Sequence, residues 1–509
     1  MAISENKRIA KNTLFLYLRM FLTMAVGLYT SRLVLEALGA VDYGIYGLVG
    51  GIVTMFAFLN SAMSSATQRY LSFDIGRNDI QKLQETFNAT LNIHFLVALI
   101  ILLLSETIGL WFVNYKLDIP PDRMIAANWV FQFSVFTFIL NVIQVPYNAL
   151  LIAREHMNVY AYVSILETLL KLIIVLYLVQ ADSDRLILYA ILTFAVSFII
   201  RMAYKIYCKK KFKESIYKFY YDKTYYKELL SYSGWNLFGN IAAVARSQGS
   251  NILLNLFFGP IANAAYSLTL MVQGIINNFI SNFQTAVNPQ IVKNYSKGDK
   301  QASLNLMFKS AKFSYFGMLI LIVPLLVNID YVINLWLKEV PKYTTQFIQL
   351  ALIYSLIETI ANPLMSVAQA TGKIKWYQII IGSFIFLTLP VVWIVFKLTN
   401  EPVNVYWVLI SNSIFALIFR VLFLVNMIGL SIKNFMTDVI FRVIIVSIII
   451  YMLFTNYQFD QILNLVNFIL RVGAVGFITI GIIILLGITK NEKKMLFTIL
   501  KKQLFKIKE

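Results

Sequence analysis

Apolar runs long enough to cross a hydrocarbon layer of about 30 Å follow one another along this chain, separated by short polar turns. They fall near residues 13–38, 45–71, 88–113, 124–152, 159–180 and 186–207, and again near 229–258, 261–288, 304–328, 345–370, 376–398 and 403–427. Two more fall near 435–455 and 463–488. The pattern predicts an all-α polytopic membrane protein with 14 transmembrane helices. No polar stretch between the runs is long enough to bury a core of its own, so no catalytic domain is expected outside the membrane.

The polar positions repeat. A shift of 220 lays Gly39 on Gly259, Tyr46 on Tyr266, Ser61 on Ser281 and Asp79 on Asp299, and a shift of 217 lays Pro146 on Pro363, Ala153 on Ala370 and Tyr160 on Tyr377. Such self-similarity is the mark of a duplicated transporter fold. Each half has an even number of spans, so both begin on the same side of the membrane and the repeat is parallel. The expected organisation is an N-lobe over 1–207, a basic linker over 208–228, a C-lobe over 229–428, and two further helices with a basic tail over 429–509. Leu38-Gly39-Ala40 and Phe258-Gly259-Pro260 read as tight hairpins between antiparallel spans.

Composition agrees, with 59% of residues apolar and 14% charged. The first apolar run exceeds the roughly 7–15 residues of a signal-peptide core, so an uncleaved first span is expected. One cysteine, Cys208, excludes an internal disulfide, and two histidines give no basis for a metal centre. No cofactor and no catalytic role are expected. The net charge of +19 sorts by alternate loops, which argues against nucleic-acid binding. It orients both termini to the cytoplasm by the positive-inside rule. The clusters from Arg201 to Lys227 and from Lys490 to Lys508 would then lie on anionic lipid headgroups of the cytoplasmic face.

Polar groups within spans are costly, so their positions map a candidate cavity. Ser61, Ser64, Ser65 and Gln68 share one helical face. Their repeat counterpart reads Ser281, Gln284, Thr285 and Asn288, extended by Gln273 and Asn277, and the seventh span adds Asn236, Asn240, Ser247 and Asn251. These stripes either line a hydrated space or bond neighbouring helices together. Arg246 lies about 22 Å into the seventh span at 1.5 Å per residue, too deep to reach the near surface easily. Arg19 occupies the first span, and Arg32, followed by Glu36 at i+4, reads either as a snorkelling pair near the outer surface or as a further substrate-binding arginine. Spans one and seven are repeat-related, so their arginines are expected to meet in one cationic cavity suited to an anion. Glu167 and Lys171 are spaced to neutralise each other. Glu358, with no obvious partner, and His94 are ion-coupling candidates beside Glu167.

Four segments carry a family resemblance: RIAKNTLFLYLRMFLTM, LGAVDYGIYGLVGGI, PYNALLIAREHMNVYAYVSILE and NPLMSVAQATGKIKWYQIIIG. Through them the chain resembles the multidrug/oligosaccharidyl-lipid/polysaccharide exporter superfamily, and within it the bacterial polysaccharide flippases of the Wzx type. The resemblance covers essentially the whole chain. It implies transfer of an undecaprenyl-pyrophosphate-linked oligosaccharide unit to the outer leaflet by alternating access, for O-antigen or capsule assembly, with handover to the glycan polymerase and chain-length machinery. Arginines would hold the pyrophosphate, and Asn, Gln, Ser and aromatic groups the sugar hydroxyls. In related lipid II flippases the last two helices form a groove for the lipid tail. A multidrug exporter is the nearest alternative, disfavoured by a cationic cavity, and a membrane glycan polymerase is a more distant one. No Walker-type nucleotide loop is present.

Overall fold

Gly39 and Gly259 divide the two longest helices at equivalent points. The computed structural model describes residues 2–54, 57–115, 117, 119–337, 340–455, 465–489 and 492–493. Helix α1 (Ala2–Thr54) turns at Gly39 with φ 78°, and α8 (Lys223–Ser296) turns at Gly259 with φ 74°. Both turns use backbone angles open almost only to glycine. Each long helix therefore carries two of the predicted spans, the second span continuing in the first half as α2 (Ala57–Arg77).

The remaining helices follow the predicted runs. They are α3 (Ile80–Leu104), continued through a π-turn into α4 (Leu110–Tyr115), α5 (Met124–Ala153), α6 (Met157–Val179) and α7 (Arg185–Lys211). The second half continues with α9 (Lys300–Val327), the short α10 (Ile329–Trp336), α11 (Thr344–Ala370), α12 (Lys375–Thr399) and α13 (Asn404–Ile428). The last group comprises α14 (Ile432–Phe435), α15 (Phe441–Thr455) and α16 (Leu465–Ile482). Among the described residues, 10 helices are long and apolar enough to cross a membrane. The two kinked helices supply the other four predicted segments, so the all-α fold of 14 spans stands.

The duplication is visible bond by bond. Asn78 and its counterpart Gly298, 220 positions on, are both left-handed, at φ 56° and 85°. Each precedes an aspartate whose N–H donates back to a carbonyl five residues earlier, Asp79 to Asp74 and Asp299 to Asn294. Glu155 and Gly372, 217 apart, repeat the device at φ 63° and 76°. Pro146 and Pro363 lie inside α5 and α11; neighbouring helices re-satisfy the freed backbone groups at such prolines.

The chain divides into two compact units. The first comprises Met1–Ile241, Thr285–Asp299 and Gly372–Ile379, so both ends of α8 and the start of α12 belong with the first-half helices. In it α5 packs on α7, α2 and α3, and α1 on α6, around a core that includes Phe87, Tyr147, Leu150 and Tyr204. The second comprises Ala242–Gln284, Lys300–Thr371 and Ile380–Glu509. There α11 packs on α9 and α13, and α16 on α9, around Tyr266, Phe347, Tyr354 and Tyr406. Lys312 on α9 donates to both oxygens of Glu492, at 2.8 Å each, which ties the chain beyond α16 to this unit. In lipid, apolar burial gives helices little reason to associate, so such bonds and close contacts matter more than in water.

Candidate functional site

The second unit gathers charge around the most buried of the ten long apolar helices among the described residues. In α11, 67% of the central window is buried against 17% in α16, and Tyr354 and Glu358 sit one turn apart on it. The Arg246 guanidinium lies over the Tyr354 ring, 5.4 Å from its centroid, and Glu358 and Tyr266 are close enough to interact with it electrostatically. Ser413 of α13 donates to Glu358 at 2.5 Å. Glu358 thus has the partner that sequence spacing could not supply. Tyr266, Tyr406 and Phe347 close the cluster, with ring centroids 5.8 Å and 5.4 Å apart in successive pairs. Ser247 and Asn251 are half-buried on the same helix and Asn277 is exposed.

Gln284 and Gln273 take the helix-bonding role. Gln284 donates to Ser314 at 3.2 Å and to the Thr359 carbonyl at 3.3 Å, and Gln273 donates to Ser355 at 2.8 Å. Both are buried. Their face of α8 is polar because it bonds α9 and α11.

In the first unit Arg19 stacks over Tyr160 of α6 at 4.9 Å. Asn240 donates to Ser61 at 3.1 Å, so the seventh-span stripe meets the second-span stripe there. Gln68 and Asn288 are half-buried. Glu167 and Lys171 form an ion pair at 2.6 Å. His94 is fully buried, with Nδ1 2.7 Å from the Thr90 carbonyl of its own helix. The side chain of Arg32 and the tail from Lys494 to Lys508 lie outside the described residues.

The first half also contains a cavity of about 390 Å³ lined by Tyr46, Gly47, Gly50, Thr137, Asn141 and Thr193 among others. It is at the lower end of the roughly 300–1,000 Å³ of small-molecule sites. Its lining has hydroxyls, an amide and aromatic faces, and no carboxylate or cation among the described residues.

A second cluster, which sequence reasoning missed, lies at the predicted inner end of the first unit. Glu155, in the α5–α6 turn, is buried. Its carboxylate accepts from Arg8 Nε at 2.6 Å, from Gln290 Nε2 at 2.6 Å and from Lys293 Nζ. An L-residue in left-handed backbone costs about 1–2 kcal/mol, and the carboxylate is held there regardless. Burial pushes the Lys293 ammonium below its usual range, although Glu155 opposes the shift. Next door Arg154 pairs with Glu214 and Arg69 lies buried against Tyr70, Phe73 and Tyr232. Thr86 donates to Asp74 and meets the Tyr225 hydroxyl, each at 2.5 Å, while burial pushes the Asp74 carboxyl up to about 6. One signal was present in the sequence: the 217 shift lays Glu155 on a glycine, which marks a backbone position a glutamate would not take without a reason.

Duplicated bundles of long apolar helices define a polytopic membrane protein, and solved structures share the fold. "MATE transporter ClbM in complex with Rb+" matches 84% of this chain and 96% of its own, at 17% identity and a TM-score of 0.67. "Crystal structure of MATE in the bent conformation" matches 82% and 94%, at 12% identity and a TM-score of 0.71. "Outward-facing conformation of a multidrug resistance MATE family transporter of the MOP superfamily" matches 82% and 95%, at 13% and 0.68. Identities this low establish the fold alone.

The family follows from the sequence. The family model described as "Polysaccharide biosynthesis protein" matches residues 9–295, more than half of the chain, and the chain belongs to that family. A relative, "Uncharacterized membrane protein EpsK" of Bacillus subtilis (strain 168), is 18% identical over 298 residues, 58% of each chain. The match thus spans little more than half of that relative's length. The family is that of polysaccharide biosynthesis proteins, and the fold is the one these MATE structures share.

Proposed function

We propose that the protein is a flippase that carries polyprenyl-diphosphate-linked oligosaccharide units from the inner to the outer leaflet of the bacterial cytoplasmic membrane. The halves alternate in exposing the cargo, and no bond is made or broken. The observation that carries this reading is a pair of arginines on the repeat-related first spans, Arg19 over Tyr160 and Arg246 over Tyr354, in a chain of the polysaccharide biosynthesis family. Guanidinium stays charged at any accessible pH, and its planar fork matches phosphate oxygens in pairs. An aromatic face beneath it fixes the plane. Asn240, Ser247, Asn251, Asn277, Gln68 and Asn288 supply hydrogen bonds to sugar hydroxyls, and Glu358, Glu167 and His94 remain the coupling candidates.

The test is translocation by purified protein in proteoliposomes, with a diphosphate-linked oligosaccharide lipid and a cationic drug offered separately. Movement of the lipid alone supports the reading. Movement of the drug alone contradicts it and favours the exporter alternative, which the MATE-like fold keeps open.

A further inference from the structure

The Glu155 carboxylate occupies an anion site built by two cations and an amide. Its oxygens take Arg8, Gln290 and Lys293, drawn from α1 and the inner end of α8, and a third cation, Arg154, is near enough to act on Lys293. The turn itself does not ask for glutamate. Its repeat counterpart Gly372 makes the same left-handed turn with no side chain at all. What the strained glutamate contributes is a negative group placed in a basic nest.

We propose that Arg8, Lys293 and Gln290 form an inner-side binding site for a diphosphate group, and that Glu155 is the internal anion such a ligand displaces. The assignment rests on the reading of the cargo as a diphosphate lipid. The Arg8 side chain is 49% exposed while that of Glu155 is 1% exposed, so the site opens outward through Arg8 and is stoppered by the carboxylate. A diphosphate carries more charge and more acceptor oxygens than one carboxylate. It satisfies both cations without holding the turn in its strained form.

The exchange has a structural consequence. Gly76 of α2 and Ser296 of α8 are repeat counterparts, 220 positions apart, and they touch: a methyl group at Gly76 would collide with Ser296 Oγ and come within 2.8 Å of the Lys293 backbone. The inner ends of α2 and α8 therefore cross at equivalent points, one helical turn from Lys293. Beside this crossing Glu155 ties the α5–α6 turn to α1 and α8, and a ligand that takes Lys293 from it releases that tie.

Inorganic pyrophosphate titrated onto the protein in nanodiscs reads the site directly. Wild type is expected to bind weakly and Glu155→Gln at least ten-fold more tightly, with the gain lost when Lys293→Gln is added. Unchanged affinity in Glu155→Gln, or a gain that survives Lys293→Gln, overturns the proposal. Glu155→Gly, which this backbone accepts without strain, must show the same gain, so a folding defect in the glutamine variant leaves the test intact. Displacement of the pyrophosphate by polyprenyl diphosphate but not by phosphatidylglycerol supports the cargo as its source. Equal displacement by both overturns the link to cargo and assigns the site to ordinary headgroups. Failure of wild type to move the lipid, with the pyrophosphate behaviour intact, would sink the proposed function and leave the binding site standing.

Discussion

One position in the duplicated fold holds a neutral hollow in the first half and a charged cluster in the second. Thr137, Asn141 and Tyr46 line an open cavity of about 390 Å³. Their counterparts, Tyr354, Glu358 and Tyr266, crowd around Arg246, which replaces Val26 of the first half. Duplication supplied two equal scaffolds, and side-chain size and charge then separated their uses. The neutral, aromatic-flanked hollow suits an uncharged polar ring, and the arginine site suits an anion. In the second half that arginine is partly answered by its own carboxylate, so under the proposed function an incoming anion would compete with Glu358.

The comparison can be broken most severely at Arg246. Replacing it with glutamine removes a charge-assisted contact of about 1.5–3 kcal/mol, so translocation of the diphosphate lipid is expected to fall on the order of ten- to a hundred-fold. Arg246→Lys should recover only part of that loss, because an ammonium lacks the planar fork. Wild-type rates in the glutamine variant would erase the distinction between the halves.

Glu358→Ala deprives Ser413 of its acceptor and removes the carboxylate that acts electrostatically on Arg246. Thermal unfolding in detergent should show a loss of about 1.5–3 kcal/mol, while Asn141→Ala at the equivalent first-half position should cost less. The two turn glycines sharpen the comparison from the other side. Gly39→Ala and Gly259→Ala should each cost on the order of 1–3 kcal/mol, and by similar amounts, since the turns are alike. Smallest is Thr137→Tyr, which rebuilds the second-half side chain in the first. The hollow should accept it at a cost below about 1 kcal/mol, less than the roughly 1–3 typical of overpacking a filled core. A larger loss would mean that the hollow is not free space.

Much of the fold was legible because a bilayer restricts the choices. Every buried backbone group must be satisfied within its own helix, so long apolar runs read directly as spans, and Gly39 and Gly259 read as turns. The stripes were less transparent. Ser281, Gln284 and Asn288 look like one hydrated face, yet Gln284 spends its bonds on Ser314 and Thr359. A polar side chain that lines water and one that bonds a neighbouring helix have the same periodicity. Glu155 was harder still, because its partners come from residues 8, 290 and 293, and nothing local announces them. Only the mismatch of glutamate with glycine across the repeat betrays that turn.

The most direct measurement compares wild type, Arg19→Ala, Arg246→Ala and the double variant in proteoliposomes, with a saccharide lipid joined through diphosphate and one joined through a neutral linkage. The account predicts that each single variant slows the diphosphate lipid, that the double variant abolishes its movement, and that the neutral lipid is carried poorly by all four. Full movement of the diphosphate lipid by the double variant would contradict it.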